Sequence, residues 1–220
     1  MLRLGWPRRD VLARIVRVGA PTAATGVFFS LVYVVVARTA SRFGTPALAA
    51  LGLGFRVESW LYMIGVGFGA AAAAVVGQNL GAGRVDRAER AGWTMLGVAS
   101  TPAAVGAAIA FAIPDWVAGV FTHDPTVIAE TARYLRVAAV AQLVVCAEVV
   151  LEGALGGAGE TVAPMLASTT LTGARVPLAQ WAAPRFGTAG LWWVISLTAF
   201  GRGLAMMALW RLGRWKRRSI

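Results

Sequence analysis

Long apolar runs, separated by short polar segments rich in glycine or proline, dominate the pattern of this chain. Several runs reach the roughly 20 residues that an α-helix needs to cross about 30 Å of hydrocarbon. The pattern therefore predicts an all-α, polytopic membrane protein with six transmembrane helices. The predicted ranges are 15–40, 46–80, 91–113, 126–155, 162–183 and 188–212.

Residues at the helix boundaries favour this division. Asp124 followed by Pro125 predicts a helix start, because an aspartate caps free amides and proline suits the first helical position. The segment GGAGET at 156–161 is the predicted turn between the fourth and fifth helices. We expect the Thr161 side chain to cap the fifth helix.

The stretch VVGQNLGAGR at 75–84 has three interpretations. A dinucleotide loop needs Gly-x-Gly-x-x-Gly between a strand and a helix, and a Walker loop ends in Gly-Lys-Ser or Gly-Lys-Thr. This stretch follows a long apolar helix and completes neither motif. The third interpretation, which the pattern favours, is the exit of a membrane helix that ends with Gly81 and Gly83 at positive φ. The amphipathic segment RVDRAERAGW at 84–93 then follows.

Composition excludes a soluble globular domain. The 220 residues are 58% hydrophobic and 14% charged, whereas soluble domains carry about 25% charged residues. The formal net charge is +11, and the basic residues cluster. Both termini and the loop at 84–90 hold 13 of them, while the loops predicted on the other side hold three. The positive-inside rule predicts cytoplasmic termini, and we expect a multi-pass protein of the inner cell membrane.

Several kinds of chemistry are not expected. Cys146 and His123 are the sole cysteine and histidine, which argues against an intramolecular disulfide and a zinc site. No basic stripe interleaves with exposed aromatics, so we expect no nucleic-acid partner. Without a Ser/His dyad, a pair of aspartates or a phosphate loop, the sequence predicts neither an enzyme nor an ATP-driven pump. We expect no cofactor, only a proton or sodium as coupling ion.

Charged residues within the predicted spans are candidate site residues, because a charge in hydrocarbon is costly. They are Arg56 and Glu58 in the second helix, Glu148 and Glu152 in the fourth and Arg202 in the sixth. Arg175, in the fifth helix, is expected nearer its outer end. Arg56 and Glu58 lie two residues apart on roughly opposite faces, so we expect no ion pair between them.

Glu148 and Glu152 lie four residues apart and share one helix face. Two carboxylates so close in a low dielectric resist simultaneous ionisation, so one is expected to hold its proton near neutral pH. A group that exchanges a proton can couple proton movement to the movement of a cation. Glu148 is the stronger candidate, since it lies nearer mid-membrane. A structural salt bridge from Glu148 to Arg56 or Arg202 is the alternative, and both interpretations stay open here.

Gln142 is a further candidate, together with three aromatic side chains. With Tyr33, Trp60 and Tyr62, it can line a cavity that binds flat cations through cation–π contacts. Lipid contact or helix packing is the alternative for each aromatic residue.

Three segments resemble the multidrug and toxic compound extrusion (MATE) family of transporters. GFGAAAAAVVGQNLGAG at 67–83 resembles the family's second-helix signature, and EGALGGAGET at 152–161 resembles its fourth-helix exit. Phe121 and the segment 124–136 resemble the outer entrance to that fourth helix. The resemblance covers nearly the whole chain.

The resemblance implies two homologous six-helix lobes, of which this chain holds one. The arginine-rich start, the Arg-x-Glu-Ser at 56–59 and the basic tail look most like the C-terminal lobe. The expected organisation is a cytoplasmic basic N-terminus at 1–14, a six-helix lobe at 15–212 and a cytoplasmic basic tail at 213–220.

The resemblance also implies a function, namely secondary active export of organic cations or drugs by proton- or sodium-coupled antiport. Glu58 and Glu148 correspond by region to the family's acidic residues in this lobe. Three alternatives stay open. In the first, the chain is a truncated or split-gene half without transport of its own. In the second, two copies of the chain form a homodimer of parallel lobes. In the third, the chain is a flippase-like carrier of lipid-linked sugars, and the paired carboxylates argue against this alternative. The expected partners are the lipid bilayer, small organic cations, and a second copy or a missing second lobe.

Overall fold

The computed structural model describes residues 26–217, a range that is almost entirely helical and contains no β-strand. Helix α1 covers Gly26–Ser41 of this range. The helices that follow are α2 (Thr45–Gly81), α3 (Val85–Ala112), α4 (Pro114–Gly119), α5 (Pro125–Gly157) and α6 (Val162–Leu212), and a 3₁₀ turn covers Arg214–Arg217. Residues 1–14, the start of the predicted first helix and residues 218–220 lie outside the described range.

Six apolar helical segments lie between residues 26 and 217, so the predicted all-α, six-helix lobe is confirmed. Helices α2, α3, α5 and α6 are each long and apolar enough to cross a membrane, and α1 is a shorter apolar helix. Helix α6 contains two spans, because Gly187 interrupts it at φ 62° and ψ −149°. Glycine has no Cβ and adopts such a conformation readily. The interruption falls between the predicted fifth and sixth helices.

The predicted start of α3 was wrong. The helix begins at Val85 rather than at 91, because the amphipathic segment is already helical. Its Asp86 lies in the first turn, where a negative charge complements the helix dipole. The short helix α4 was not predicted, and Pro114 occupies its first turn.

The stretch at 75–84 is a helix exit, as the pattern predicts. The Arg84 amide donates to the Asn79 carbonyl at 2.8 Å, and Gly83 has φ 71°. These are the features of a Schellman helix end, in which glycine takes the left-handed conformation. The expectation for Gly81 was wrong, since it is the last residue of α2 and does not have a positive φ.

The end of α5 has the same geometry. Gly159 has φ 74°, and the Glu160 amide donates to the Leu155 carbonyl at 2.9 Å. The expected cap by Thr161 was wrong, because its side chain makes no capping hydrogen bond. Instead, a carboxylate oxygen of Glu160 accepts from the Ala163 amide at 3.4 Å.

Helix α5 is the centre of the lobe. In the most apolar 18-residue stretch of α5, 61% of the residues are buried, whereas the corresponding stretches of α2 and α3 are each 22% buried. Glycines bring α2 and α5 into backbone contact, since a Cβ on Gly153 would meet the Gly69 carbonyl oxygen, and one on Gly157 would meet that of Ala73. The Ala/Gly-rich part of α2 therefore packs closely against α5.

Buried apolar side chains form two separate cores. The first surrounds Tyr134 and Trp192 and lies towards Gly187. The second surrounds Trp210 and Trp215 and lies towards the Gly83 turn. We call these the Gly187 end and the Gly83 end of the lobe. The middle parts of α2, α5 and α6 pass between the two cores.

Candidate functional site

Charged and polar side chains occupy the region between the two cores. Glu148 on α5 and Glu58 on α2 both lie within electrostatic range of Arg175 and Arg202 on α6. Three of the residues predicted from the sequence, namely Glu58, Glu148 and Arg202, are thus brought together. We use the name charge cluster for five side chains, namely Glu58, Glu148, Glu152, Arg175 and Arg202.

The Glu148 carboxylate forms an ion pair with Arg202, with 3.2 Å between Oε1 and Nη1. Both side chains are well buried, at 7% and 16% exposure. Of the two arginines weighed as partners of Glu148, it is Arg202 that makes the contact. A buried pair is held in place strongly, because loss of either partner leaves an uncompensated charge.

This ion pair uses only part of its bonding capacity. Within residues 26–217, Glu148 Oε2 and Arg202 Nε are buried without a hydrogen-bond partner, and the same holds for the Ser168 hydroxyl on α6. Buried polar atoms are nearly always hydrogen-bonded. An unused carboxylate oxygen inside a membrane span can accept a proton or bind a cation, so Glu148 is a candidate for such a role.

The two arginines tie the halves of α6 together. Arg175 Nε donates to Thr198 Oγ1 at 2.9 Å, and Arg202 Nη1 donates to Thr172 Oγ1 at 3.4 Å. Arg175 and Thr172 lie one turn apart before Gly187, while Thr198 and Arg202 lie one turn apart after it. The arrangement is therefore reciprocal, since each half supplies one arginine and one threonine.

Glu58 is held from α5. The Tyr134 hydroxyl donates to Glu58 Oε2 at 3.1 Å. Gly54, one turn before Glu58, leaves room for the tyrosine ring, which a Cβ at that position would meet. The ring also packs edge-on against Trp192, with 5.0 Å between ring centroids.

Glu130 is a second buried glutamate on α5, close to Tyr134 but outside the charge cluster. Its Oε1 accepts from the Trp192 indole at 2.9 Å, and its Oε2 accepts from Arg133 at 3.3 Å. Both carboxylate oxygens are therefore occupied. Arg133 itself is 69% exposed, which places this network at the edge of the Gly187 end.

The remaining predicted residues of α5 differ in exposure. Glu152 is exposed and lies one turn from Glu148, within electrostatic range of Arg202. Gln142 is buried on α5 between Tyr134 and Glu148, and its amide makes no hydrogen bond within residues 26–217.

Arg56 lies apart from the charge cluster. Its side chain is exposed, and it makes no hydrogen bond or ion pair in the described part of the chain. Trp60, one turn further along α2, packs against Phe121 in the connection that precedes α5, with ring centroids 5.9 Å apart. Arg56 therefore lies close to the Gly187 end of the lobe.

Sequence reasoning missed several members of these networks, among them Glu130, Tyr134, Thr172 and Thr198, and it expected Arg175 nearer the outer end of its helix. A usable signal was present for α6, where a threonine lies three residues before Arg175 and another lies four residues before Arg202. Such spacing puts a hydroxyl and a guanidinium on one helix face in both halves.

No group of His, Cys, Asp and Glu side chains suited to a metal ion is found among residues 26–217. A cavity of about 310 Å³ lies beside Glu130, Arg133 and Phe43. An apolar groove of about 440 Å³ lies along Trp181 and Trp193. Neither includes a residue of the charge cluster.

The family model MatE matches residues 21–181 of this chain. The multidrug resistance protein NorM of Burkholderia vietnamiensis is 30% identical over 213 residues, which cover 93% of this chain and 46% of that protein. The probable multidrug resistance protein NorM of Deinococcus radiodurans is 32% identical over 227 residues, with 100% and 46% coverage. The chain thus spans about half the length of the curated relatives it matches.

Solved structures show the same fold. An outward-facing multidrug resistance MATE family transporter of the MOP superfamily superposes with a TM-score of 0.83 at 20% identity, covering 100% of this chain and 50% of that one. A MOP superfamily transporter from Pyrococcus furiosus, described with a binding pocket of reverse polarity, superposes with a TM-score of 0.72 at 21% identity, with 92% and 44% coverage.

The family match covers well over half of this chain, and the arrangement of its helices agrees with one half of each solved structure. Members of this family are multi-pass membrane transporters and not enzymes. The chain belongs to the MatE (MATE) family of membrane transporters.

Proposed function

We propose that this chain is one lobe of a secondary active transporter that exports organic cations or drugs in exchange for protons or sodium ions. The observation that carries the proposal is Glu148, a carboxylate buried within a membrane span, with one oxygen paired to Arg202 and the other without a partner in the described part of the chain. The relatives are named multidrug resistance proteins, which agrees with this class of substrate.

The free oxygen supports a mechanism of competition. A proton or sodium ion at Glu148 Oε2 lowers the negative charge available to an organic cation, and a bound organic cation lowers the charge available to the ion. Two ligands that compete for one charge are exchanged rather than carried together. Glu58 and Glu152 add negative charge to the region, and Gln142 and Tyr62 are polar groups near it that can orient a substrate.

We further propose that the protein lies in the inner cell membrane and that its Gly83 end faces the cytoplasm. Arg84, Arg87 and Arg90 are exposed at this end, together with Arg211 and Arg214. In this orientation the segments 1–14 and 213–220 are both cytoplasmic and flank a lobe at 15–212.

A second lobe completes the transporter in this proposal, because the chain spans about half of its relatives. A second copy of the chain and a separate homologous chain are the two candidates for that lobe. A half that inserts without transporting by itself is the alternative function, and the same observation of length favours it.

Export of ethidium from bacteria that lack their own drug exporters tests the proposal. We expect the native chain to lower cell fluorescence, Glu148→Gln to abolish the effect and Glu130→Gln to retain it, at equal amounts of inserted protein. Equal export by native chain and Glu148→Gln would overturn the proposed site. Insertion of all three without export would favour the alternative half-transporter.

A further inference from the structure

Arg175 is a partly buried charge, and no carboxylate in the described part of the chain contacts it directly. Its Nε donates to Thr198 Oγ1 and its Nη2 donates to the Ile195 carbonyl at 3.3 Å. Within residues 26–217 it forms no ion pair. The arginine is thus bonded by neutral groups of the second half of α6, and its positive charge stays available to the surroundings.

The bonds of Thr198 fix this position. Its hydroxyl oxygen lies 2.8 Å from the Val194 carbonyl oxygen and 2.9 Å from the Ile195 carbonyl oxygen, and the hydroxyl donates to these two acceptors. The hydroxyl proton is therefore engaged with the backbone, and a lone pair of the oxygen faces the guanidinium. Arg202 is tied to Thr172 in the opposite direction, so a shift of one arginine along α6 strains both pairs of bonds.

The five charged groups of the cluster do not cancel. Glu58, Glu148 and Glu152 carry three formal negative charges, and Arg175 and Arg202 carry two positive charges. The formal net charge is −1. Among residues 26–217, the other titratable side chains that face these acids are the hydroxyls of Tyr33, Tyr62 and Tyr134, which are neutral when protonated and leave the sum unchanged.

We propose that Arg175 is a fixed internal cation that limits the charge cluster to one monovalent cation at a time. This inference rests on the proposed function and deepens it, because it names the substrate class as singly charged organic cations. With one negative charge to neutralise, the binding of such a cation displaces one proton or one sodium ion. Arg175 is a specificity-determining residue in this scheme and does not touch the substrate.

The scheme makes the exchange ratio depend on charge and not on shape. Without Arg175 the cluster has a formal charge of −2, so it holds two coupling ions or one doubly charged organic cation. Arg175→Lys keeps the charge. Removal of Glu58 together with Arg175 restores −1, since one charge of each sign is lost.

The test counts the ions displaced when tetraphenylphosphonium binds to the purified full chain in detergent. Proton release is measured in weak buffer, and sodium release with radioactive sodium. We expect one ion per bound tetraphenylphosphonium for the native chain and for Arg175→Lys. For Arg175→Gln we expect two ions per bound methyl viologen, a doubly charged organic cation, because a dication replaces both coupling ions of a cluster with a formal charge of −2. The double variant Glu58→Gln/Arg175→Gln should return to one. The exposed Arg185→Gln on the same helix is the control, with an expected value of one.

The outcomes separate the inference from the proposed function. A native chain that binds tetraphenylphosphonium without displacing any ion, or that does not bind it, overturns the proposed function and the inference with it. One ion per tetraphenylphosphonium from the native chain, together with only one ion per methyl viologen from folded Arg175→Gln, overturns the inference alone. If Arg175→Gln does not fold, the double variant and methyl viologen decide. The scheme requires that the double variant displaces one ion. It also requires that the native chain binds methyl viologen, a dication, more weakly than tetraphenylphosphonium. Two ions displaced from the double variant, or tighter binding of methyl viologen by the native chain, overturns the scheme.

Discussion

Glu130 and Glu148 lie 18 residues apart on α5, which is five helical turns, so both point to the same side of the helix. Both are buried, and both pair with an arginine. Glu130 receives hydrogen bonds on both oxygens, from Trp192 and Arg133. Glu148 has one ion-paired oxygen and one that accepts no hydrogen bond from residues 26–217.

We interpret this difference as that between a structural carboxylate and one proposed to take part in transport. Glu130 is saturated, and its arginine is exposed to solvent, so a further cation has little to bind. Glu148 keeps a free lone pair in a buried place, where such an atom costs free energy unless a ligand occupies it. Burial and an ion pair alone would make Glu130 and Glu148 equally good candidates for a functional carboxylate. The number of carboxylate oxygens without a hydrogen-bond partner distinguishes them.

The largest expected effect concerns the ion pair of Glu148. Because loss of one partner leaves a buried charge, Glu148→Leu or Arg202→Leu should each destabilise the folded chain by about 3–5 kcal/mol. The double variant Glu148→Leu/Arg202→Leu should recover most of this loss, since no charge is left over, yet should not export ethidium. Unfolding in mixed micelles with increasing denaturing detergent measures the stability. If the double variant were no more stable than the single variants, the buried ion pair between Glu148 and Arg202 would be contradicted.

The second effect concerns the backbone contact of α2 and α5 next to Glu148. Gly153→Val places methyl groups against the Gly69 backbone, and overpacking of this kind costs about 1–3 kcal/mol. Gly156→Ala is the matched control, because a Cβ there meets nothing within 4 Å. The same unfolding assay should show a loss for Gly153→Val and none for the control. Equal stability of the two variants would show that the helices are farther apart.

The third effect concerns Glu130. Trp192→Phe removes the indole donor and leaves Glu130 Oε1 unpaired, which should cost about 1–3 kcal/mol. Trp193→Phe is the control, because Trp193 is an exposed neighbour that makes no such bond. We expect lower stability for Trp192→Phe but the same export per folded molecule for both. A selective loss of export with Trp192→Phe would give Glu130 a functional role.

Six spans, the two glycine helix ends and the Asp124 cap were predictable, because each depends on local sequence. Asp124 Oδ1 accepts from the amides of Thr126 and Val127 at 2.8 and 3.3 Å. The first turn of α3 was missed because a helix start in a polar segment lacks the apolar signal on which the prediction relied.

The depth of charged residues was less predictable. Helices α2 and α5 have 37 and 33 residues, so they are about 50–55 Å long and exceed the hydrocarbon thickness. Position along such a helix does not give depth in the membrane. Arg56 therefore lies near the Gly187 end, while Arg175, expected near an outer end, belongs to the cluster. The partner of Glu148 also required the packing of α5 against α6.

The smallest expected effect concerns Asp124, in solvent at the start of α5. Hydrogen bonds from the Thr126 hydroxyl and from the Thr126 and Val127 amides lower the pKa of Asp124 below its ordinary 3.8. The charged form is therefore favoured by folding. Its stabilising effect is complete above the ordinary pKa and is lost as the pH falls through the lowered value. The advantage in melting temperature of the native chain over Asp124→Asn should shrink as the pH falls below 3.8, and a constant difference would contradict the cap.

The most direct test of the comparison places Glu130→Gln and Glu148→Gln side by side in proteoliposomes. A pH gradient or a sodium gradient is imposed, and the uptake of tetraphenylphosphonium is followed against the native protein. The account predicts gradient-driven accumulation by Glu130→Gln at the native level and no accumulation above equilibrium by Glu148→Gln. Accumulation by Glu148→Gln, or its loss in both variants at equal folded amounts, would contradict the assignment of Glu148 as the coupling residue.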